Sequence, residues 1–549
     1  MPYSRHLRGP KPHPDPAMAA FRRTLTLLHG LAFAALCTAA LAGMPSAAAQ
    51  TLRFASAFDP NSLDPHSLAL LYQTRIINQI YESLVNRDRN FDLEPSLATS
   101  WQLLDRTTWR FKLRPNVRFH DGTPFTADDV VFSIERVLAK TSQRRFQLRG
   151  VTGARAVDAL TVDILSEAPD AVLPQKLWQI AIMSRSWADK HGVTQPQDYN
   201  GKQETYAVRN ANGTGPYRLK SYDPDQRTVL VANPDWWGRN DKGIGNVKEA
   251  IFAVIQSDAT RLAALASGQV DFVIDPPFQD VARLKQDKLL RLVDVTDIGT
   301  QYLGFDQSRN ELQFGEARGN PFKDLRVRRA IYQAIDINLI IGKVLRGQGT
   351  PAGSHLSKLV DGHVPELERR LPFDPAAARA LLKEAGYPDG FSVTLDCVNV
   401  TYRAAACQAI AAMLAQVNIR VRFQPFPSAT FFPKLTQAST SFFEFGWTAA
   451  VDPWASLNSL VRTYDGGSAG QFNGGRYSNP KLDQLIDGIR IEPDLMKRRQ
   501  MVGEALRLMH TDLPLIPLYR RTLTWVMRPN VSVVQWPNDV LELRWVRIN

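Results

Sequence analysis

A chain of 549 residues is several times the roughly 100–200 of one domain, so more than one lobe is expected. Hydrophobic residues at 44% and charged residues at 22% are the balance of a folded protein and exclude a disordered or fibrous chain. The formal net charge is +12, but no basic run concentrates it, which excludes a nucleic-acid footprint.

Residues 1–20 are rich in Pro and carry no apolar period, so they are expected to be disordered. Arg22 and Arg23 then precede an apolar run from Leu25 to Leu41, and Ala47-Ala48-Ala49 stand before Gln50. A basic start, a short apolar core and small residues at −3 and −1 describe a secretory signal peptide. Thr26, His29 and Thr38 interrupt the run, which is too short to span a bilayer comfortably. An uncut signal anchor is the alternative, and Met18 is an alternative start. Leu36 just before Cys37 is wrong for a lipobox, so a soluble exported protein cut near Ala49/Gln50 is expected. That cut removes five basic residues and one acid and leaves +8.

Farther along, Trp109, Phe111 and Leu113 alternate with Arg110 and Lys112, the pattern of a half-buried strand. A turn at His120-Asp121-Gly122 follows. Thr126 then caps a helix whose first turn holds Asp128 and Asp129 and whose apolar stripe is Val130, Ile134, Val137 and Leu138. An apolar helix is expected over Arg326–Leu345. Asp374 and Pro375 open another, which Gly386 ends. Phe391–Asp396, Gln408–Gln416 and Ile419–Phe423 read as strand, helix and strand. The chain is therefore α/β, without an internal repeat.

Cys397 ends that first strand and Cys407 lies on the following helix. In an oxidising compartment a disulfide is plausible, and two buried thiols are the alternative. Metal binding by two isolated cysteines is not expected. Gly466-Gly467-Ser468-Ala469-Gly470 formally matches the nucleophile-elbow pattern, but that motif needs a strand before it and a helix after it. Thr463-Tyr464-Asp465 and Gln471–Gly475 flank it as loop instead. The sequence has no H-E-x-x-H, phosphate loop or C-x-x-C, so no enzyme, catalytic residue or cofactor is expected.

Several ordered segments carry a resemblance. Asn61–His66 and Tyr81–Val85 come first, then Pro95–Trp101, Phe111–Arg114 and Val117–Gly122. Gly213–Tyr217, Asn233–Gly238, Val327–Ala330, Ala334–Asp336, Gly446-Trp447-Thr448 and Tyr477–Pro480 continue the series. In this order they are similar to the family-5 extracellular solute-binding proteins, which include dipeptide, oligopeptide and nickel receptors of ABC importers. The resemblance implies a two-lobed type II periplasmic binding protein fold with an additional domain. It puts lobe I at 51–72, 207–300 and 515–549, the additional domain at 73–206, and lobe II at 301–514. Lobes joined by crossing strands close about a hinge and bury a ligand between them.

The function implied is a monomeric periplasmic subunit that takes a peptide or peptide-like solute to an inner-membrane permease and ATPase. Alternatives are a receptor for a non-peptide solute (opine, metal chelate, sugar-like) and a sensor or chaperone-like binder without a permease.

By the same resemblance Trp447 lines the pocket, with core packing as the alternative, and Thr448 follows it. Peptide receptors hold an Asp shortly after this Trp, to pair with the ligand's amine; Ala450 stands there. Asp452 enters the pocket or bonds its own turn. Asp59 receives a ligand amine or hydroxyl, or caps its turn. Arg403 holds a carboxylate, or is a solvated residue at a helix start. Tyr402 and Phe472 are further lining candidates. His66 and His120 sit in separate turns and read as structural, and no protein-only metal site is expected.

Overall fold

The computed structural model describes residues 50–201, 203–448, 452–467 and 469–549. Residues 1–49 with Cys37, and Ala450 and Ser468, lie outside the described residues. In the first strand, β1 (Thr51–Ser56), Leu52 and Phe54 point to the core while Arg53 points to solvent, the period-two pattern of a pleated strand. Helix α1 (Leu71–Ile80) follows.

Strands β2 (Ala98–Asp105), β3 (Thr108–Leu113), β4 (Val151–Asp158) and β5 (Thr161–Ser166) form their own antiparallel sheet in the order β2-β3-β5-β4. Phe111 and Leu113 are buried and Lys112 is exposed, as the alternation predicts. Arg110 turns back to Asp163, with Nε 2.7 Å from Oδ1. Between β3 and β4 runs α2 (Ala127–Leu138), which starts where Asp129 accepts the Thr126 backbone N–H at 2.9 Å. Val130, Ile134 and Val137 of α2 pack on Phe111, Val162 and Ile164 of this sheet.

The remaining long strands enter one mixed thirteen-stranded sheet. They are β6 (Tyr217–Asp223), β7 (Arg227–Ala232), β8 (Glu249–Val254), β9 (Arg291–Thr296) and β10 (Thr300–Phe305). β11 (Phe391–Val398), β12 (Ile419–Phe426), β13 (Phe442–Trp447) and β14 (Leu515–Met527) complete the set. One half of the sheet gathers around β1, which is parallel to β8 from Thr51 opposite Glu249. The other half gathers around β10, whose Thr300 lies opposite Trp447 of antiparallel β13.

Two strands carry the chain between the halves. β9 and β10 are joined through Asp297–Gly299, and β14 runs beside both without a break. Its start pairs with β10 (Leu515 opposite Gly304) and its end with β9 (Met527 opposite Arg291). Arginines fasten this crossing. Arg521 reaches Asp297 Oδ2 from Nε and Nη2 at 2.9 and 2.6 Å. Arg520 donates to Thr300 Oγ1 at 3.2 Å and to the Ser354 and Leu356 carbonyls at 2.9 and 2.8 Å.

β11, helix α3 (Thr401–Ala415) and β12 form the expected strand–helix–strand unit, with β11 and β12 parallel. The helix starts earlier than its apolar stripe suggested, because Ala404, Ala405 and Ala406 favour helix without contributing a face. Cys397 and Cys407 are joined across this unit, with Cα atoms 6.8 Å apart. One expectation fails. The helix anticipated over 326–345 is broken into Leu325–Gln333, a short turn at Ile337–Leu339 and a wider turn over Ile340–Val344. The cause is Asp336, whose carboxylate accepts the Leu339 N–H at 2.9 Å and starts a new helix end inside the apolar run.

Candidate functional site

β13 reads Phe442-Phe443-Glu444-Phe445-Gly446-Trp447, and its first five residues except Gly446 are fully buried, Glu444 included. A lone carboxylate there needs a partner. Arg403 of α3 supplies it, with Nε 3.0 Å and Nη2 2.9 Å from Oε2, and Nη2 also donates to the Glu444 carbonyl at 3.3 Å. Burial pushes the Glu444 carboxyl up, against the pull of Arg403. The solvated reading of Arg403 is thereby corrected: it is a buried residue engaged with Glu444. Glu444 was missed by sequence reasoning, although a single acid inside an aromatic strand was a visible signal.

Trp447 ends β13 half-buried. Its indole N–H donates to Ser456 Oγ at 3.1 Å, on helix α5, which is here the helix Pro453–Leu460 once α4 (Ser428–Thr436) is counted. The ring lies 5.1 Å from Phe472, which lies 6.5 Å from Phe432 of α4. Three aromatic rings therefore form a row along one wall, and Phe432 is 36% exposed. Thr448 follows in the open.

Asp452 is the N-cap of α5 and accepts the Trp454 N–H at 2.9 Å. It is only 6% exposed. Burial pushes its carboxyl up from 3.8 to about 6, with Arg498 and Lys176 pulling the other way. A group raised in the folded state adds stability that is complete below its unfolded value and is lost as pH rises through the folded one. Asp452→Asn keeps the cap, since Asn and Asp cap equally well. The variant should therefore match the parent near pH 4 and exceed it by a few kcal/mol at most at pH 8, in urea denaturation at both pH values. Equal stability at pH 8 would remove this account.

Asp59 is also internally engaged. Oδ1 accepts from the Asn61 N–H and the Tyr222 hydroxyl at 2.6 Å each, and Oδ2 from the Asp225 N–H at 2.8 Å. It ties the segment after β1 to the β6–β7 hairpin. Next to it Phe58 is 46% exposed and stacks on Tyr72 of α1 at 4.1 Å. The Tyr72 phenol is raised by burial, and Arg75 and Arg521 act against that rise. Arg521 also lies 5.7 Å from the Tyr402 ring. Its bonds to Asp297 use Nε and Nη2, which leaves Nη1 for another acceptor. One guanidinium on the crossing strand thus acts on an aromatic residue from each half of the sheet. Phe58, Tyr72 and Arg521 were not singled out from the sequence. An Arg pair inside the apolar run Leu515–Met527 was the available signal.

His66 and His120 hold backbone. His66 Nε2 is 2.9 Å from the Ala181 carbonyl and Nδ1 is 3.1 Å from Arg136 Nη1, and burial lowers its pKa to about 3. His120 Nε2 is 3.0 Å from the Gly215 carbonyl, and burial lowers its pKa to about 4. Among the described residues Cys397, Cys407 and Glu444 come close enough to share an ion, but the sulfurs are bonded to each other and the carboxylate to Arg403. Gly466 and Gly467 lie in bends and Ala469 and Gly470 in a turn, with neither a strand directly before nor a helix directly after them among the described residues. No helix of the described residues is long and apolar enough to cross a membrane.

The chain is 27% identical to heme-binding protein A of Haemophilus influenzae over 470 residues, covering 80% of this chain and 81% of that one. It is 26% identical to the dipeptide-binding protein of Escherichia coli over 540 residues, covering 92% and 94%. The fold is shared with the ABC transporter-associated periplasmic binding protein DppA of Helicobacter pylori, solved in complex with the peptide STSA. The TM-score is 0.73 at 23% identity, over 91% of this chain and 98% of the other. The two sheet halves and their crossing strands are thus those of a two-lobed type II periplasmic binding protein. The sequence model of "Bacterial extracellular solute-binding proteins, family 5 Middle" matches residues 92–468, and the chain belongs to that family of binding proteins.

Proposed function

We propose that this protein captures a peptide or peptide-like solute between its two lobes and delivers it to an ABC permease and its ATPase in the inner membrane. It works as a monomer in the periplasm, after removal of the leader near Ala49/Gln50, and releases the solute unchanged. The observation that carries the reading is Arg521, 5.7 Å from the Tyr402 ring and bonded to Asp297 through Nε and Nη2, with no acceptor on Nη1 among the described residues. Phe58 and the row Trp447–Phe472–Phe432 supply rigid apolar walls for varied side chains, and the guanidinium suits a carboxylate. The relatives named for dipeptide and the neighbour holding STSA support the same class of solute.

Amine recognition is the weaker side of this site. Ala450 stands where the resemblance puts the amine-pairing acid, and Glu444 is committed to Arg403. Peptides and their N-acetylated forms should therefore bind alike, while C-terminal amidation should weaken binding about tenfold or more. Intrinsic fluorescence and melting shifts on titration read this directly, because Trp447 reports closure. Absence of any response to peptides, amino-acid derivatives, opines and metal chelates would sink the proposal.

A further inference from the structure

A second cavity of about 770 Å³ lies away from these aromatic walls, within the size range of small-molecule sites. One wall comes from the segment carrying the separate four-stranded sheet, through Arg87, Asp92 and Gln175. The other comes from the loop 358–364 and from the long helix α6 (Leu495–Asp512), with its N-terminal half facing the space. The first segment also meets the helix Pro480–Ile491 that precedes α6, where the Ala171 N–H donates to the Arg490 carbonyl at 3.0 Å.

The lining is basic and under-neutralised. Arg87, Lys358, Arg498, Arg499 and Arg507 face three acids, Asp92, Asp361 and Glu504. Arg499 is paired with Asp361 at 2.6 Å, and Arg507 with Glu366 outside the cavity at 3.1 Å. The other three cations have no carboxylate within ion-pair distance among the described residues. Arg87 is 1% exposed; it donates to Gln175 Oε1 at 2.6 Å and to the Phe91 carbonyl at 3.4 Å, and its guanidinium lies 5.5 and 5.6 Å from the Phe91 and Trp178 ring centroids. Its Nε is buried with no acceptor at all. Arg498, also buried, reaches the Ala171 carbonyl at a long 3.5 Å, and the buried Asp452 is the acid whose field it feels. Lys358 is exposed at the rim. The guanidinium of Arg87 lies behind the cavity wall, where an oxyanion held by Arg498 and Lys358 would offset the cost of burying its charge.

We infer that this cavity is a binding site for a small multivalent oxyanion, of carboxylate or phosphate class, held by Arg498 and Lys358 of one wall against the buried charge of Arg87 in the other. It is separate from the solute cleft and does not depend on the peptide reading. Calorimetric titration of the purified protein with citrate and with pyrophosphate, at ionic strength fixed by chloride, tests it. At least one should bind saturably at one per chain and raise the melting temperature, and the better of the two identifies the class. Lys358→Gln, at an exposed position, and Arg498→Gln should each weaken that binding about tenfold or more while circular dichroism stays unchanged. Saturable binding should persist with a peptide solute already bound. Failure of both anions to saturate, unchanged affinity in Lys358→Gln, or displacement of the anion by peptide would each overturn the inference.

Discussion

Arg136→Met should lower the stability of the protein by about 3–5 kcal/mol, the cost of stranding a charge inside a core. Arg136 and Asp64 each have a side-chain exposure of 0%. Their contact is bidentate, with Nη1 and Nη2 each 2.7 Å from a different carboxylate oxygen. The guanidinium also donates to the Val193 and Gln195 carbonyls at 3.1 and 3.0 Å, while Asp64 accepts the Gln197 N–H at 2.9 Å. The pair therefore ties the chain after β1 to α2 and to the segment 193–197. Burial alone would raise the Asp64 carboxyl, but Arg136, His66 and the Gln197 N–H together outweigh it and the group ends below its usual range. A depressed carboxyl contributes stability present above its unfolded value and lost as pH falls through the folded one. The deficit of the variant should be large at pH 7 and shrink as the pH is lowered, because without Arg136 burial raises the Asp64 carboxyl and the stranded acid takes up a proton. Asp64→Asn combined with Arg136→Met should recover part of it. A single-variant loss under about 1 kcal/mol in urea denaturation would contradict the argument.

Trp447→Ala should weaken solute binding by about 30- to 150-fold, which is the 2–3 kcal/mol of a central aromatic anchor. The ring is half-buried, packs on Phe472 and is aimed by its bond to Ser456, so it offers area with little rotamer freedom to lose. Trp447→Phe keeps the packing but not the donor and should lose less than the alanine variant. Both should also lose most of the fluorescence change on titration. Affinity within threefold of the parent in Trp447→Ala, with a normal melting temperature, would assign the ring to core packing instead.

Local rules carried the sequence reading where one element supplied all the information. The alternation at Trp109–Leu113, the cap at Thr126 with Asp129, and the helix opened by Asp374 and closed at Gly386 are set within a few residues. In the structure Asp374 accepts the Ala377 N–H at 2.9 Å and Gly386 takes a φ of 89°, where a side chain would be strained. The same locality explains the failed helix at 326–345, since the apolar period masked a capping acid at Asp336. The site resisted reading because its partners are distant in sequence. Glu444 meets Arg403 across 41 positions and Arg521 meets Asp297 across 224. Asp59 and Asp452 were each readable as turn residues or ligand contacts; the tertiary neighbours Tyr222 and Asp225 occupy the Asp59 oxygens, while Asp452 caps its own helix through the Trp454 N–H and is buried.

The unbroken course of β14 has a mechanical meaning. A thirteen-residue strand that bonds to β10 at one end and β9 at the other is a shared shaft rather than a tether. Relative motion of the halves has to be taken up as torsion along hydrogen-bonded backbone, spread over several peptide units, instead of by swivelling of a free loop. Such a shaft resists sliding and shear but yields to small rotations about its own axis. Opening and closing can then repeat many times along one narrow arc, with the arginines at residues 520 and 521 acting as its bearings.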